Sequence, residues 1–119
     1  MPNVKGALGE ALAELFLKQR GFLILARNFR TPFGEIDLIA QEGETVVFIE
    51  VKSLYSANLA PEESIGRRKK EHLKRAALAF LKEKGWLARL VRFDVVTIRF
   101  CQSTPGSRIE HLPDVFSYP

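Results

Sequence analysis

Gly34-Glu35-Ile36-Asp37-Leu38-Ile39-Ala40 and Val46-Val47-Phe48-Ile49-Glu50-Val51-Lys52 are the segments on which the fold turns. Both are rich in β-branched and aromatic residues, as strands are. The link between them, Gln41-Glu42-Gly43-Glu44, is short and contains glycine, which signals a hairpin. Side chains alternate faces along a strand, so Asp37 is expected beside Glu35 and Ile39, and Glu50 beside Lys52, Phe48 and Val46. The opposite faces then read as wholly apolar: Ile36, Leu38 and Ala40 on one strand, Val47, Ile49 and Val51 on the other. A loop of Glu42-Gly43 would set Asp37 opposite Phe48 and diagonal to Glu50. A loop of Gly43-Glu44 would oppose Asp37 and Glu50 directly. Either register brings both carboxylates to one face within about 5–8 Å.

Working outward, residues 3–20 have a helical pattern, with Val4, Leu8, Ala11, Leu12 and Leu15 as the apolar stripe, Asn3 as N-cap and Gly21 as stop. Gly6 and Gly9 weaken an isolated helix, so close packing must compensate. Phe22 to Arg30 reads as a strand, turned by Thr31-Pro32-Phe33-Gly34. After a polar stretch, Pro61 to Lys84 has the longest helical pattern, closed by Gly85. Arg89 to Phe100 returns to strand, and Arg108 to Leu112 makes a short last one after a turn at Thr104-Pro105-Gly106-Ser107. The order α-β-β-β-α-β-β implies an α/β fold, a central mixed sheet flanked by helices. One domain over residues 1–119 accommodates it, with no internal repeat or linker.

Composition narrows the chemistry. Lys and Arg number 18 against 14 Asp and Glu, a formal charge of +4, which suits a polyanionic partner without requiring one. Cys101 is alone, which excludes an intrachain disulfide and fits a reducing compartment. One Cys with only His72 and His111 cannot assemble the usual zinc site. No signal-peptide pattern opens the chain, and no apolar run is long enough to cross a bilayer. A cytoplasmic protein with no membrane contact is therefore expected.

Two neighbouring carboxylates repel, and Phe48 and Ile39 partly desolvate them, so the pair needs a counter-charge. A hard divalent cation, Mg²⁺ or Mn²⁺, answers that need with Asp37 and Glu50 as ligands. Lys52, two residues on, then stands where it can orient or help deprotonate an attacking water, or offset phosphate charge. Glu-Val-Lys alone recurs by accident at exposed strand ends. The preceding Asp37, the shared face and the apolar flanks favour a phosphodiesterase site.

Other residues join on weaker grounds. Lys69 falls in the middle of the second helix's apolar stripe, so it either snorkels outward or reaches a buried anion. Glu10 shares a stripe with Gly6, Ala13 and Leu17; it is either a further carboxylate near the metal or a solvated glutamate. Glu35 either supports Asp37 or pairs with Arg30. Arg67, Arg68, Lys70 and Lys74 form a basic run that is either a solvated face or a contact for nucleic-acid phosphates. Phe33 and Tyr55 are placed to stack on unpaired bases, though ordinary aromatics look the same. Arg92 and Asp94 form a structural pair, Trp86 anchors the core, and Cys101 and the two histidines receive no chemical role.

Asp37 with Glu50-Val51-Lys52 resembles the signature of the PD-(D/E)XK nucleases. Over nearly the whole chain the motifs resemble the YraN-like family of bacterial predicted endonucleases. They are Gly9-Glu10, Gly34 to Ala40, Phe48 to Lys52, Lys69 with Leu73 and Ala76-Ala77, Arg92-Phe93-Asp94-Val95-Val96, and Ile109-Glu110-His111-Leu112. The resemblance implies a restriction-endonuclease-like fold, a cytoplasmic location and a nucleic-acid partner, DNA above all. It also strengthens Glu10, which matches a helical acid near the metal in archaeal Holliday-junction resolvases. One departure stands out: the family usually carries Arg one residue after the Ser or Thr that follows Lys52, where this chain has Leu54. Branched or single-stranded DNA is the substrate that the resolvase analogy suggests, and a two-fold junction would call for a homodimer. The alternative is a non-catalytic nucleic-acid-binding or scaffold module on the same fold.

Overall fold

A computed structural model describes residues 4–54, 66–100 and 107–116. Seven elements follow in the expected order: α1 (Val4–Gln19), β1 (Leu23–Thr31), β2 (Gly34–Glu42), β3 (Thr45–Leu54), α2 (Arg67–Lys84), β4 (Leu90–Phe100) and β5 (Ser107–Leu112). The five strands form one sheet in sequence order. β1, β2 and β3 are an antiparallel meander, β3 and β4 run parallel, and β5 returns antiparallel to β4. The parallel step needs a crossover, and α2 supplies it. This mixed sheet with a helix on each face is the expected α/β architecture, consistent with a restriction-endonuclease-like fold.

Each helix closes a separate half of the core. Leu73, Ala76, Ala77, Phe80 and Leu81 of α2 pack on Ile36, Ile39, Val46, Phe48, Phe93 and Val95. Ala13 and Leu17 of α1 pack on Leu38, Ala40, Val47, Ile49, Val96 and Ile98. Alternation along β3 and β4 sends successive apolar side chains to the two helices, so neither face of the sheet is left bare. Trp86 packs at the margin of the α2 cluster, edge-on to Phe80 with ring centroids 5.9 Å apart.

Both helix stops occur as expected. Gly21 and Gly85 adopt φ of +91° and +73°, and the residues after them bond back to Leu17 and Leu81 carbonyls. Asn3, Tyr55, residues 61–65, Cys101 and the turn at 104–106 lie outside the described residues. Gly66 is extended (φ −81°, ψ 174°), so α2 starts at Arg67, later than the periodicity from Pro61 indicates.

Two expectations about faces are corrected. On α1 the buried stripe is Gly9, Ala13 and Leu17, whereas Leu8 and Leu15 are 49% and 56% exposed. The helix has apolar residues around most of its circumference, so periodicity alone selects the wrong stripe. On β2, Ile36 joins Ile39 under α2 instead of sharing the α1 side with Leu38 and Ala40. Pairing of β1 with β2 goes from Arg27↔Leu38 to Phe29↔Ile36 and skips Asn28 and Asp37 between them. Asn28 has φ +49°, a left-handed conformation that Asn tolerates better than most residues. Strand alternation breaks at that step.

Candidate active site

The hairpin chooses between the two registers. Glu42 pairs with Thr45, leaving Gly43-Glu44 as the loop, with Gly43 at φ +59°. Pairing runs down to Leu38↔Ile49 and stops one step short of Asp37 and Glu50, which the register sets opposite each other. Beyond that point the Asp37 side chain replaces the ladder: the Val51 N–H donates to its Oδ2 at 2.8 Å. Asp37 thus reaches across the fork between β2 and β3, where its backbone pairs with neither neighbouring strand.

Glu50 is 5% exposed, and its Oε1 receives Lys69 Nζ at 2.9 Å and Lys52 Nζ at 3.6 Å. Of the two readings for Lys69, the buried-anion one holds. Its place in the α2 stripe carries the ammonium down to a carboxylate that the strand has buried. The other oxygen of Glu50, Oε2, is buried and has no hydrogen-bond partner. Asp37 is pushed up to about 7, by burial first and then by the Glu50 charge; the Val51 N–H and Lys69 pull the other way. The Lys69 ammonium is desolvated, which works against its charge, but its bond to Glu50 and the nearby Asp37 outweigh this and raise its pKa.

Glu10 arrives from α1. A Cβ on Gly9 would stand 2.5 Å from Ser53 Oγ, so the absence of that atom lets the helix backbone lie directly against the end of β3. Burial, Glu35 and Glu50 together raise the Glu10 pKa. With its amide nitrogen turned to the acids, Asn28 donates to Glu10 Oε1 at 2.6 Å and Glu35 Oε1 at 3.0 Å. Glu35 therefore supports this acidic group while also lying 3.6 Å from Arg30. Asn28 is the member that reading the sequence missed. An Asn within a strand pattern is a weak hint of a left-handed residue, and only the fold reveals which carboxylates it joins.

Two clefts open on the site. One of about 200 Å³ lies under α2, lined by Gly34, Glu35, Asp37, Lys69, His72 and Leu73. A larger groove of about 570 Å³ lies along α1 and includes Glu10, Asn28, Arg30 and Glu35. The smaller one brings Asp37 together with Lys69. The basic run divides around α2. Arg67 and Arg68 are exposed, whereas Lys70 and Lys74 lie 5.7 and 5.8 Å from the Phe116 ring centroid, toward the C-terminal segment. Leu54, at the family's usual Arg position, is buried.

The residues present suit a hard cation in one respect: Glu50 Oε2 is a buried anionic oxygen lacking a donor, across the fork from a second carboxylate. Among the described residues no three His, Cys, Asp or Glu side chains group as a metal-holding set. Two carboxylates, with water and substrate phosphate completing the shell, are enough for Mg²⁺.

Residues 9–98 match the model of the uncharacterised protein family UPF0102. A UPF0102 protein of Anaeromyxobacter dehalogenans is 45% identical over 93% of this chain and 82% of its own length. Those of Geobacter metallireducens and Dictyoglomus turgidum are 39% and 36% identical, each over 93% of this chain, covering 90% and 95% of the relatives. The chain belongs to this family, the YraN-like proteins that its motifs resemble. No helix among the described residues is long and apolar enough to cross a membrane.

Proposed function

We propose that this member of UPF0102 is a metal-dependent endodeoxyribonuclease of the PD-(D/E)XK kind, hydrolysing DNA phosphodiester bonds with Mg²⁺ or Mn²⁺. The observation that carries the proposal is the buried, donorless Glu50 Oε2 beside Asp37, with two ammonium groups on the same carboxylate. Asp37 and Glu50 would hold the cation, and Glu10 would approach it from α1. When bound, the cation neutralises phosphate charge and makes water easier to deprotonate.

The chain's own groups do the rest. Water adds to phosphorus and the P–O3′ bond breaks, so a proton must leave the water as the alkoxide gains one. Lys52 Nζ, 3.6 Å from Glu50, is the group to orient that water. Lys69, 2.9 Å from Glu50 Oε1, presents positive charge to the phosphate's non-bridging oxygens. Arg67 and Arg68 on the exposed start of α2, with Lys70 and Lys74 on its flank, would neutralise neighbouring phosphates. Branched or single-stranded DNA, and a homodimer on a two-fold junction, belong to the same proposal.

One observation favours the alternative of a non-catalytic binding module: Lys69 and Lys52 already neutralise Glu50 without a cation. Titration with Mn²⁺ separates the two, since a binding module has no carboxylate-dependent Mn²⁺ site. The decisive assay incubates wild type, Asp37→Asn and Lys52→Ala with linear, flapped and four-way DNA in Mn²⁺. Cleavage by wild type and its loss in both variants is expected. Cleavage that persists in both places the activity elsewhere and ends the proposal.

A further inference from the structure

The turn at the cleft's rim presents an aromatic ring that the core does not use. Thr31 Oγ1 accepts from the N–H of Phe33 at 3.0 Å and of Gly34 at 3.2 Å, and donates to the Gly34 carbonyl at 3.0 Å. These bonds lock the turn, and Phe33 at its tip remains 45% exposed. Gly34, the next residue, lines the cleft with Asp37, Lys69 and His72. It also lies beside α2: a Cβ there would stand 3.4 Å from His72 Cβ, in van der Waals contact.

The α2 flank facing the turn carries positive charge. Arg68 and Arg75 lie along one side at helical spacing with His72 between them, next to Lys69. The Arg75 guanidinium carbon lies 6.0 Å from the Phe33 ring centroid, at the outer edge of cation–π range. Arg68, His72, Arg75 and Phe33 are all exposed. An exposed ring on a hydrogen-bonded turn, beside arginines, is the combination that holds single strands, with phosphates on the cations and a base on the π-face. A base inside a duplex has both faces already stacked and cannot use such a ring.

We infer that Phe33 is a stacking platform for an unpaired DNA base immediately beside the cleft, so that the favoured substrate carries a single-stranded stretch there, as in a flap or fork. This rests on the nuclease reading for the meaning of the cleft, but its test does not need hydrolysis.

Single-stranded oligodeoxynucleotides bearing 2-aminopurine at successive positions are titrated with the protein in EDTA, beside a duplex of the same sequence. Wild type should change the fluorescence strongly at one position. Phe33→Ala should lose that change and bind the single strand about 5- to 150-fold more weakly, as expected for one lost stack, with duplex binding unchanged. Phe33→Trp should retain both. Single-strand binding by Phe33→Ala equal to wild type, or an equal loss on duplex, would overturn the platform. A Phe33-dependent signal in a protein that fails to cut DNA in Mn²⁺ would uphold the platform and remove only the hydrolysis.

Discussion

Asp37 is where a single residue's environment is most telling. Its folded pKa of about 7 lies above its ordinary value of 3.8, because burial and Glu50 disfavour the charge. A carboxyl raised in this way holds its proton more tightly in the folded chain than in the unfolded one. Its stabilising contribution is complete below about pH 4 and disappears as pH rises through about 7. Chemical denaturation in EDTA should therefore show stability falling between pH 4 and 7 in wild type, with a flatter profile in Asp37→Asn. Lys69 carries the complementary prediction. Lys69→Met removes the 2.9 Å partner of a carboxylate that is 5% exposed. Loss of one partner from a buried pair costs 3–5 kcal/mol, but Lys69 is partly exposed and Lys52 remains, so about 1–2 kcal/mol is expected in EDTA. Added Mn²⁺ should restore part of the lost melting temperature. The Asp37, Glu50 and Lys52 grouping was legible because strand alternation is a local rule. Asn28 was not, since its role depends on acids from α1 and β2.

Among the elements, α1 shows why a helix's facing is harder to read than its existence. Leu8 and Leu15 are exposed, yet Gly9 and Ala13 are buried together with Leu17, and Leu12 packs at the margin of their cluster. Leu17 supplies apolar area, while close approach at Gly9 seats α1 against the end of β3 and brings Glu10 toward Glu35 and Glu50. Gly9→Val puts a branched side chain where even a Cβ would stand 2.5 Å from Ser53 Oγ. Overpacking of this kind costs about 1–3 kcal/mol. The variant should melt at lower temperature and, with Glu10 displaced, bind Mn²⁺ more weakly than an exposed-face control such as Leu15→Ala. The same reasoning applies at the fork: the apolar pattern of β2 predicts unbroken alternation, and the left-handed Asn28 interrupts it.

Across the whole molecule, Asp94 ties the late elements to the sheet. Its buried carboxylate accepts Arg92 Nε at 2.8 Å and Nη2 at 2.9 Å, and the Asp114 N–H at 3.0 Å. His111 Nε2 lies 2.7 Å from Oδ2, and Arg92 continues to Glu42 at 2.9 Å. β2, β4, β5 and the C-terminal segment meet in this one network. Burial alone would raise the Asp94 pKa, but His111, Arg92 and the Asp114 N–H overcome it and hold the carboxyl below the ordinary range. Its contribution is thus present above the ordinary aspartate pKa and is lost as pH falls through the depressed value. Asp94→Ala should cost about 3 kcal/mol in urea unfolding at pH 7. Mn²⁺ binding by the folded fraction should persist, because Asp94 takes no part in the Asp37–Glu50 fork. The Arg92–Asp94 pair was readable from strand spacing; the parts played by His111 and Asp114 were not.

Element order, the hairpin, both helix stops and the Asp37, Glu50 and Lys52 set were determined by the sequence alone. Each rests on spacing within a few residues, where backbone geometry leaves little choice. Tertiary structure decided which side of α1 is buried, which register the hairpin takes, and that Asn28 joins Glu10 to Glu35. It also drew Lys69 to Glu50 and left Phe33 at the rim of the cleft. Those outcomes depend on residues far apart in the chain meeting at one place, and no local pattern specifies such a meeting.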